Sequence, residues 1–271
     1  MRLFIHGLGY TAERLALQLA AEGWGIAGST RDPAKAERFA GRGWNHFGRA
    51  EATHLLLSAP PQEAGDPFLP GFEAPPELLW AGYLSTTGVY GDRVGGWVDE
   101  RSALLPTGRR GRRRVEAEAV WAARGLPLHL FRIAGIYGPG RNALQAVRTG
   151  RARRIIKQDQ VFSRIHVDDI VTVLVASIMC PNPGRAYNLA DDRPAPPAEV
   201  TEFACRLLGL PPPPAEPFET AVLPPMAASF YRDSKRVSNA RIKAELGVRL
   251  RYPSYREGLQ ALYEAGEGRQ A

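Results

Sequence analysis

"RLFIHGLGYTAERLALQLAAEG" (Arg2–Gly23) decides how the rest of the chain is read. Arg2–His6 is a short apolar run closed by Gly7, the pattern of a buried strand. "AERLALQLAAEG" follows, with Leu15, Leu19 and the alanines on one face and Gly23 at its end, the pattern of a helix. The joint between them places Gly7, Gly9 and Ala12 in a G-x-G-x-x-A spacing. Gly7 permits a tight turn, Gly9 leaves room for a pyrophosphate against the backbone, and Ala12 lets helix and strand approach closely. The helix start, at Tyr10 and Thr11, offers free N–H groups and the positive end of the helix dipole to phosphates. A Gly-rich turn alone is a weak signal, but between a strand and a helix it is a strong one.

The pattern then repeats. "WGIAGSTR", "THLLLSAPP", "WAGYLSTTG" and "LPLHLFRIAG" read as further strands, with "RRRVEAEAVWAARG" as a helix between the last two. Pro60–Pro76 reads as a loop with room for a short helix. Strands alternating with helices imply a parallel sheet covered on both faces. "DDIVTVLVASIM", "EVTEFACRLLGL", "SNARIKAELG" and "YREGLQALYEAG" read as later helices, and Pro211–Pro217 as a stiff extended linker. The expected fold is α/β, a Rossmann-type doubly wound parallel sheet with a small C-terminal substrate lobe. Residues 1–190 would form the dinucleotide-binding domain, with 136–165 contributing to the lobe, and 191–271 would be mainly lobe.

The end of the second strand bears on the nucleotide. An NAD site usually carries Asp or Glu there, accepting from the ribose hydroxyls. This chain has Ser29, Thr30 and Arg31, and a guanidinium with hydroxyls suits a 2′-phosphate. NADP is therefore expected over NAD, with Asp32 pointing elsewhere. Ser58, Ala59 and Pro60, at the end of the third strand, would pass beside the cofactor ribose.

Composition sets limits. In 271 residues the net charge is +7, and only Lys35, Lys157, Lys235 and Lys243 are lysines. No zinc-finger, helix-turn-helix or RNP pattern accompanies the charge, so nucleic acid is not an expected partner. Nor is a membrane, since no apolar run nears the ~20 residues that span a bilayer. Cys180 and Cys205 imply no disulfide framework, and no His/Asp/Cys spacing implies a metal. A cytoplasmic protein acting on a small-molecule substrate is the expectation.

"YLSTTGVYGD", "RVEAEA", "FRIAGIYGPGRNAL", "SRIHVDDI", "YNLADDRP" and the closing "SKRVSNARIKAELGVRLRYPSYREGL" occur in an order that resembles extended and atypical short-chain dehydrogenases/reductases. That group includes the NAD(P)-dependent epimerase/dehydratase family. The resemblance covers about residues 1–260. It implies a Ser/Thr that orients a substrate oxygen, with Thr86 as the match and Ser85 and Thr87 beside it. It also implies that Ile133 and Ala134 pack against the nicotinamide, and that Tyr137 faces the substrate. His166, Asp168 and Asp169 would fix the lobe against the sheet, with Asp168 suited to capping the following helix. Such proteins commonly pair through two long helices. The helix after Arg109 would be one of these, and its charge disfavours that mode, so a homodimer stays open.

The family's Tyr-x-x-x-Lys is missing. Anchoring on "VEAE" (Val115–Glu118) puts Arg110 at the tyrosine position and Arg114 at the lysine position. Arg114 could still contact the ribose. Arg110 cannot serve as acid/base, because a guanidinium stays protonated. Tyr90, Tyr137, His166 or water held by Thr86 are then the candidates for moving the proton. Arg109, Arg110, Arg112 and Arg113 could instead form an anion-binding surface or a solvated helix face. The expected function is NADP-dependent oxidoreductase or epimerase-like chemistry at a carbinol or carbonyl carbon. The alternative is a catalytically silent NADP(H)-binding sensor.

Overall fold

The computed structural model describes residues 1–269. Six strands form the central sheet: β1 (Arg2–His6), β2 (Gly25–Ser29), β3 (His54–Leu57), β4 (Trp80–Thr86), β5 (Leu128–Ile133) and β6 (Ala186–Leu189). They lie in the order β2-β1-β3-β4-β5-β6, and every neighbouring pair is parallel. The chain leaves β1 for β2 and then crosses back to β3. The order reverses at β1, and the carboxyl ends of β1 and β3 frame the crevice where such sheets hold ligands.

Both faces of the sheet are buried, and alternate side chains divide between them. Leu3, Ile5, Leu56, Trp80, Leu84 and Phe131 share one core with Leu15 and Leu19 of α1 (Tyr10–Ala21) on one face. Leu55, Leu57, Ala81, Tyr83 and Leu128 face the other side. α2 (Pro33–Gly41) follows β2 and was not foreseen from sequence. Asp32 caps it, accepting from Ala34 N at 3.1 Å and Lys35 N at 3.3 Å, and Pro33 has the φ that a helix start needs. On the second face, α3 (Arg109–Ala122) buries Ala117 and Trp121. The Pro60–Pro76 stretch contains no helix; Phe68, Leu69 and Phe72 cover the sheet from turns instead.

α4 (Ala143–Arg148) and α5 (Val167–Met179) come next, then α6 (Pro197–Leu208), α7 (Pro225–Phe230), α8 (Ala240–Leu246) and α9 (Tyr255–Glu264). α4, α6 and α9 pack around Leu144, Ala204, Leu259 and Leu262, a cluster separate from the sheet core. α5 instead lies on the sheet beside α1, and Ile242 of α8 joins the same core. Part of the C-terminal segment therefore returns to the sheet. Three short parallel pairs stitch the two regions: Gly135–Tyr137 with Arg164–His166, Arg154–Ile156 with Ala215–Pro217, and Trp97–Val98 with Arg236–Val237. Among the described residues no helix is long and apolar enough to cross a membrane.

Candidate functional site

The turn after β1 has the geometry its glycines imply. Gly7 sits at φ +89°, and a Cβ there would lie 2.8 Å from that of Ala59. Both conformation and space therefore demand glycine. Gly7 N and Leu8 N donate to Ser29 O at 3.1 and 3.0 Å, which clamps the turn to the end of β2. Gly9 caps α1 without a side chain, and no other side chain caps the first turn. A Cβ on Gly9 would meet only Gly7 O, at 3.9 Å. The backbone thus leaves open space in front of uncapped N–H groups at Tyr10 and Thr11, while Ala12 is fully buried against the sheet. These residues fit a dinucleotide diphosphate.

At the end of β2, Thr30 Oγ1 accepts from Asp32 N at 3.2 Å. Asp32 caps α2 through Oδ1, which ties its carboxylate to the start of that helix. Arg31 is exposed and forms no ion pair or hydrogen bond among the described residues. The Ser29 hydroxyl lies 3.4 Å from His6 Nδ1. Burial and the Arg49 charge push that imidazole down to about 4, so it is neutral.

A cleft of about 1080 Å³ opens above the carboxyl ends of the strands. Its sheet-side wall brings together Gly9, Tyr10, Thr11, Ser58, Pro60, Ser85, Thr86, Thr87, Arg110, Arg114, Ile133, Ala134 and Tyr137. The remaining sequence candidates lie off its surface. Gly7, Ala12 and Ala59 shape the turn, and Ser29, Thr30 and Arg31 stand at the end of β2.

Thr86 Oγ1 accepts from Gly88 N at 3.2 Å, which leaves its own proton free to donate. Ser85 is less available, because its hydroxyl donates to Glu118 beneath the cleft floor. Arg114 reaches over the end of β4. Its guanidinium donates to Leu84 O at 2.5 Å and Tyr83 OH at 3.1 Å, so it is positioned but partly spent. Arg110 faces the cleft and is exposed. Of the arginines read as an anion surface, only Arg110 and Arg113 reach the cleft; Arg109 and Arg112 are solvated, and Arg112 returns to Thr107 O.

Tyr90 and His166 are corrections. Tyr90 is fully buried; it donates to Asn188 Oδ1 at 2.7 Å and accepts from Arg132 at 3.1 Å, so its hydroxyl belongs to a core network. Arg132 also grips the Glu118 carboxylate, with Nη2–Oε2 at 2.8 Å, both side chains almost sealed from solvent. His166 is buried too, and its Nδ1 accepts from Asp168 N at 3.2 Å, so it, not Asp168, caps α5. Desolvation pushes its imidazole down to about 4. Asp168 instead pairs with Arg14 of α1, and Asp169 receives Arg251 N and Tyr252 N at 2.7 and 3.0 Å. Tyr137 touches the cleft but donates to Ser254 O at 3.2 Å, and burial raises its phenol further above its ordinary value. That proton is poorly placed for exchange.

The opposite wall was missed. It carries Arg141, Phe162, Ser163, Arg164, Asp233, Lys235 and Tyr255. Lys235 Nζ donates to Gly91 O at 2.8 Å and lies 3.3 Å from Asp233 Oδ2, and desolvation lowers its pKa. The one available signal was rarity: Lys235 is among four lysines in a chain that otherwise uses arginine. No group of His, Cys, Asp and Glu suited to a metal occurs among the described residues.

The fold is that of solved structures described as epimerases and dehydratases of the NAD-dependent kind, which superpose along nearly the whole chain. A conserved protein of unknown function from Silicibacter pomeroyi is 50% identical in sequence; the match covers 98% of this chain and 99% of that one, with a TM-score of 0.93. The chain belongs to the same family as that protein. Protein YeeZ of Escherichia coli K12 is 28% identical over 290 residues, covering 93% of this chain and 96% of its own. The human epimerase family protein SDR39U1, solved with NADPH, is 19% identical and superposes with a TM-score of 0.76 over 97% of this chain and 99% of its own. Other structures of this fold hold NAD. No family model matches the chain.

Proposed function

We propose that the chain is an NADP-dependent oxidoreductase or epimerase-like enzyme acting at a carbinol or carbonyl carbon of a small molecule. The observation that carries this reading is the uncapped first turn of α1, opening through Gly9 onto a cleft that Thr86, Ile133 and Ala134 also line. Tyr10, Thr11 and Gly9 would hold the diphosphate, and Arg31 with Ser29 and Thr30 would hold the adenosine phosphate. Ile133 and Ala134 supply an apolar floor for the nicotinamide. When bound, the dinucleotide would give or take the hydride. Thr86 orients the substrate oxygen through its free proton. With Tyr90, His166 and Tyr137 committed elsewhere, water held on Thr86 is the proton carrier left from the sequence candidates. Structures of the same fold have been solved with NADPH or NAD. NADP is preferred here on Arg31 and on the commitment of Asp32 to α2.

The test is calorimetric titration of the protein with NADPH and NADH, followed by NADPH consumption against a panel of aldehydes, ketones and sugar derivatives. Micromolar NADPH binding with turnover supports the reading; a folded protein giving no heat with either nucleotide refutes it. A second reading has its own support: guanidinium groups stand where the family has its acid/base pair, and Arg114 is partly spent on Leu84 O. A catalytically silent sensor would bind NADPH and leave every member of the panel untouched.

A further inference from the structure

We propose that the lobe-side wall of the cleft binds an oxyanion carried by the substrate, a carboxylate or a phosphate ester, with Arg164 and Lys235 as its anchors. The inference builds on the enzymatic reading above but stands on different residues. Arg110, Arg113, Arg114, Arg141, Arg164 and Lys235 line the cleft, and Asp233 is its one acidic lining residue among the described residues. Several arginines elsewhere have carboxylate partners: Arg14 with Asp168, Arg38 with Glu13, Arg132 with Glu118, Arg256 with Glu199.

Arg164 is the exception that matters. It is half-buried, and its Nη1 is fixed by Phe162 O at 2.9 Å and Ala195 O at 3.0 Å. Two carbonyls orient the guanidinium without cancelling its charge. Among the described residues no carboxylate lies within ion-pair distance of it, and nothing takes up Nε or Nη2. The carboxyl acting most strongly on it is Asp191, which burial pushes up to about 8, so that at neutral pH it is mainly protonated. A guanidinium kept out of water without a counter-charge is costly, and a planar oxyanion would relieve that cost bidentately.

Lys235 stands on the adjoining segment. Ser163 Oγ accepts from Val237 N at 3.0 Å, and Val161 N donates to Ser234 Oγ at 3.2 Å, so residues 161–164 and 234–237 run side by side. The Lys235 side chain is 11% exposed, and Gly91 O and Asp233 leave it a further N–H to give. Phe162, Val200, Tyr255 and Leu259 supply apolar wall around these charges, which keeps water from screening them.

The test is calorimetry on the full chain saturated with NADP⁺, which fills the α1 turn, in phosphate-free buffer. The probes are dihydroxyacetone phosphate, 2-oxoglutarate and neutral dihydroxyacetone. At least one anion should bind tenfold or more tightly than dihydroxyacetone, and the tighter of the two identifies the head group. Arg164→Met and Lys235→Met should each weaken that anion at least fivefold while leaving NADP⁺ affinity within twofold. Should Arg164→Met fail to fold, Lys235→Met alone decides. Anions that bind no better than dihydroxyacetone, or that bind both variants as tightly as the native chain, overturn the proposal. Absence of NADP⁺ binding in the native protein would instead overturn the dinucleotide reading. The anion titration, repeated without nucleotide, then still reads the lobe wall separately.

Discussion

The two walls of the cleft are built in opposite ways. The nucleotide end of the sheet wall is made of backbone and small residues, Gly9, Thr11, Ser58 and Ala134, over a turn that Gly7 shapes and Ala12 packs closely, with Arg110, Arg114 and Tyr137 beside it. The lobe wall is made of long side chains from distant segments, Arg141, Arg164, Lys235 and Tyr255, brought together only by folding. The first wall has little freedom, because backbone N–H groups at a helix start point where the helix points. The second is held by contacts that substitution can remove one at a time. The sheet wall is accordingly suited to the invariant part of a nucleotide, and the lobe wall to the variable part of a substrate.

The largest expected effect tests the floor under both walls. Glu118→Ala leaves Arg132 buried without a counter-ion, and should cost about 3–5 kcal/mol in urea denaturation. A loss below 1 kcal/mol would mean that the network of Ser85, Glu118, Arg132 and Tyr90 does not support the cleft floor. The next in size separates fold from binding on the sheet wall. The Cβ of Gly9→Val meets only Gly7 O, at an ordinary 3.9 Å, so the variant should melt within a few degrees of the native chain. Its NADPH affinity should nonetheless fall about 100-fold, roughly 2.7 kcal/mol, in a fluorescence titration.

Arg31→Ala should weaken NADPH about tenfold and leave NADH unchanged, the signature of a lost charge-assisted contact to a 2′-phosphate. Equal weakening of both nucleotides would place Arg31 elsewhere in the site. The last effect is pH-dependent and belongs to the lobe side. The Asp191 carboxyl is pushed up to about 8 by burial, so between roughly pH 4 and 8 the folded chain keeps a proton that the unfolded chain releases. Native stability therefore falls as pH rises through that window and levels off above it. Asp191→Asn does not titrate, so its stability relative to the native chain should be flat near pH 4 and improve towards pH 8. The gain should reach at least about 1 kcal/mol in thermal melts, given about 1.4 kcal/mol per pKa unit. A gain independent of pH would show that the carboxyl is not raised.

Much of the sheet was legible because its signals are short-range. Leu3, Ile5, Leu55 and Leu57 lie in apolar runs closed by Gly or Pro, and Leu15 with Leu19 marks the buried stripe of α1. α2 is not legible because "GSTRD" reads as a nucleotide-binding strand end with Asp32 pointing elsewhere, whereas Asp32 is the cap of a helix. Pro60–Pro76 suggested room for a helix, but prolines deny the backbone donors a helix needs, and aromatic rings from turns cover the sheet instead. The site was legible in halves. Gly9, Thr86, Ile133 and Ala134 line the same cleft. Tyr90 and His166 come from equally recognisable motifs, yet their polar atoms are taken up by Asn188, Arg132 and the Asp168 amide.

What the sequence by itself determined is the sheet, its glycine turn after β1 and the absence of the usual Tyr-x-x-x-Lys, since each is written in residues a few positions apart. Only the tertiary structure decided which polar groups face the cleft and which are consumed in the core. It also decided that Arg164 and Lys235, 71 positions apart in sequence, line one wall. The physical reason is that a hydroxyl, imidazole or guanidinium is defined by its partners, and those partners come from segments that only folding brings within hydrogen-bond distance.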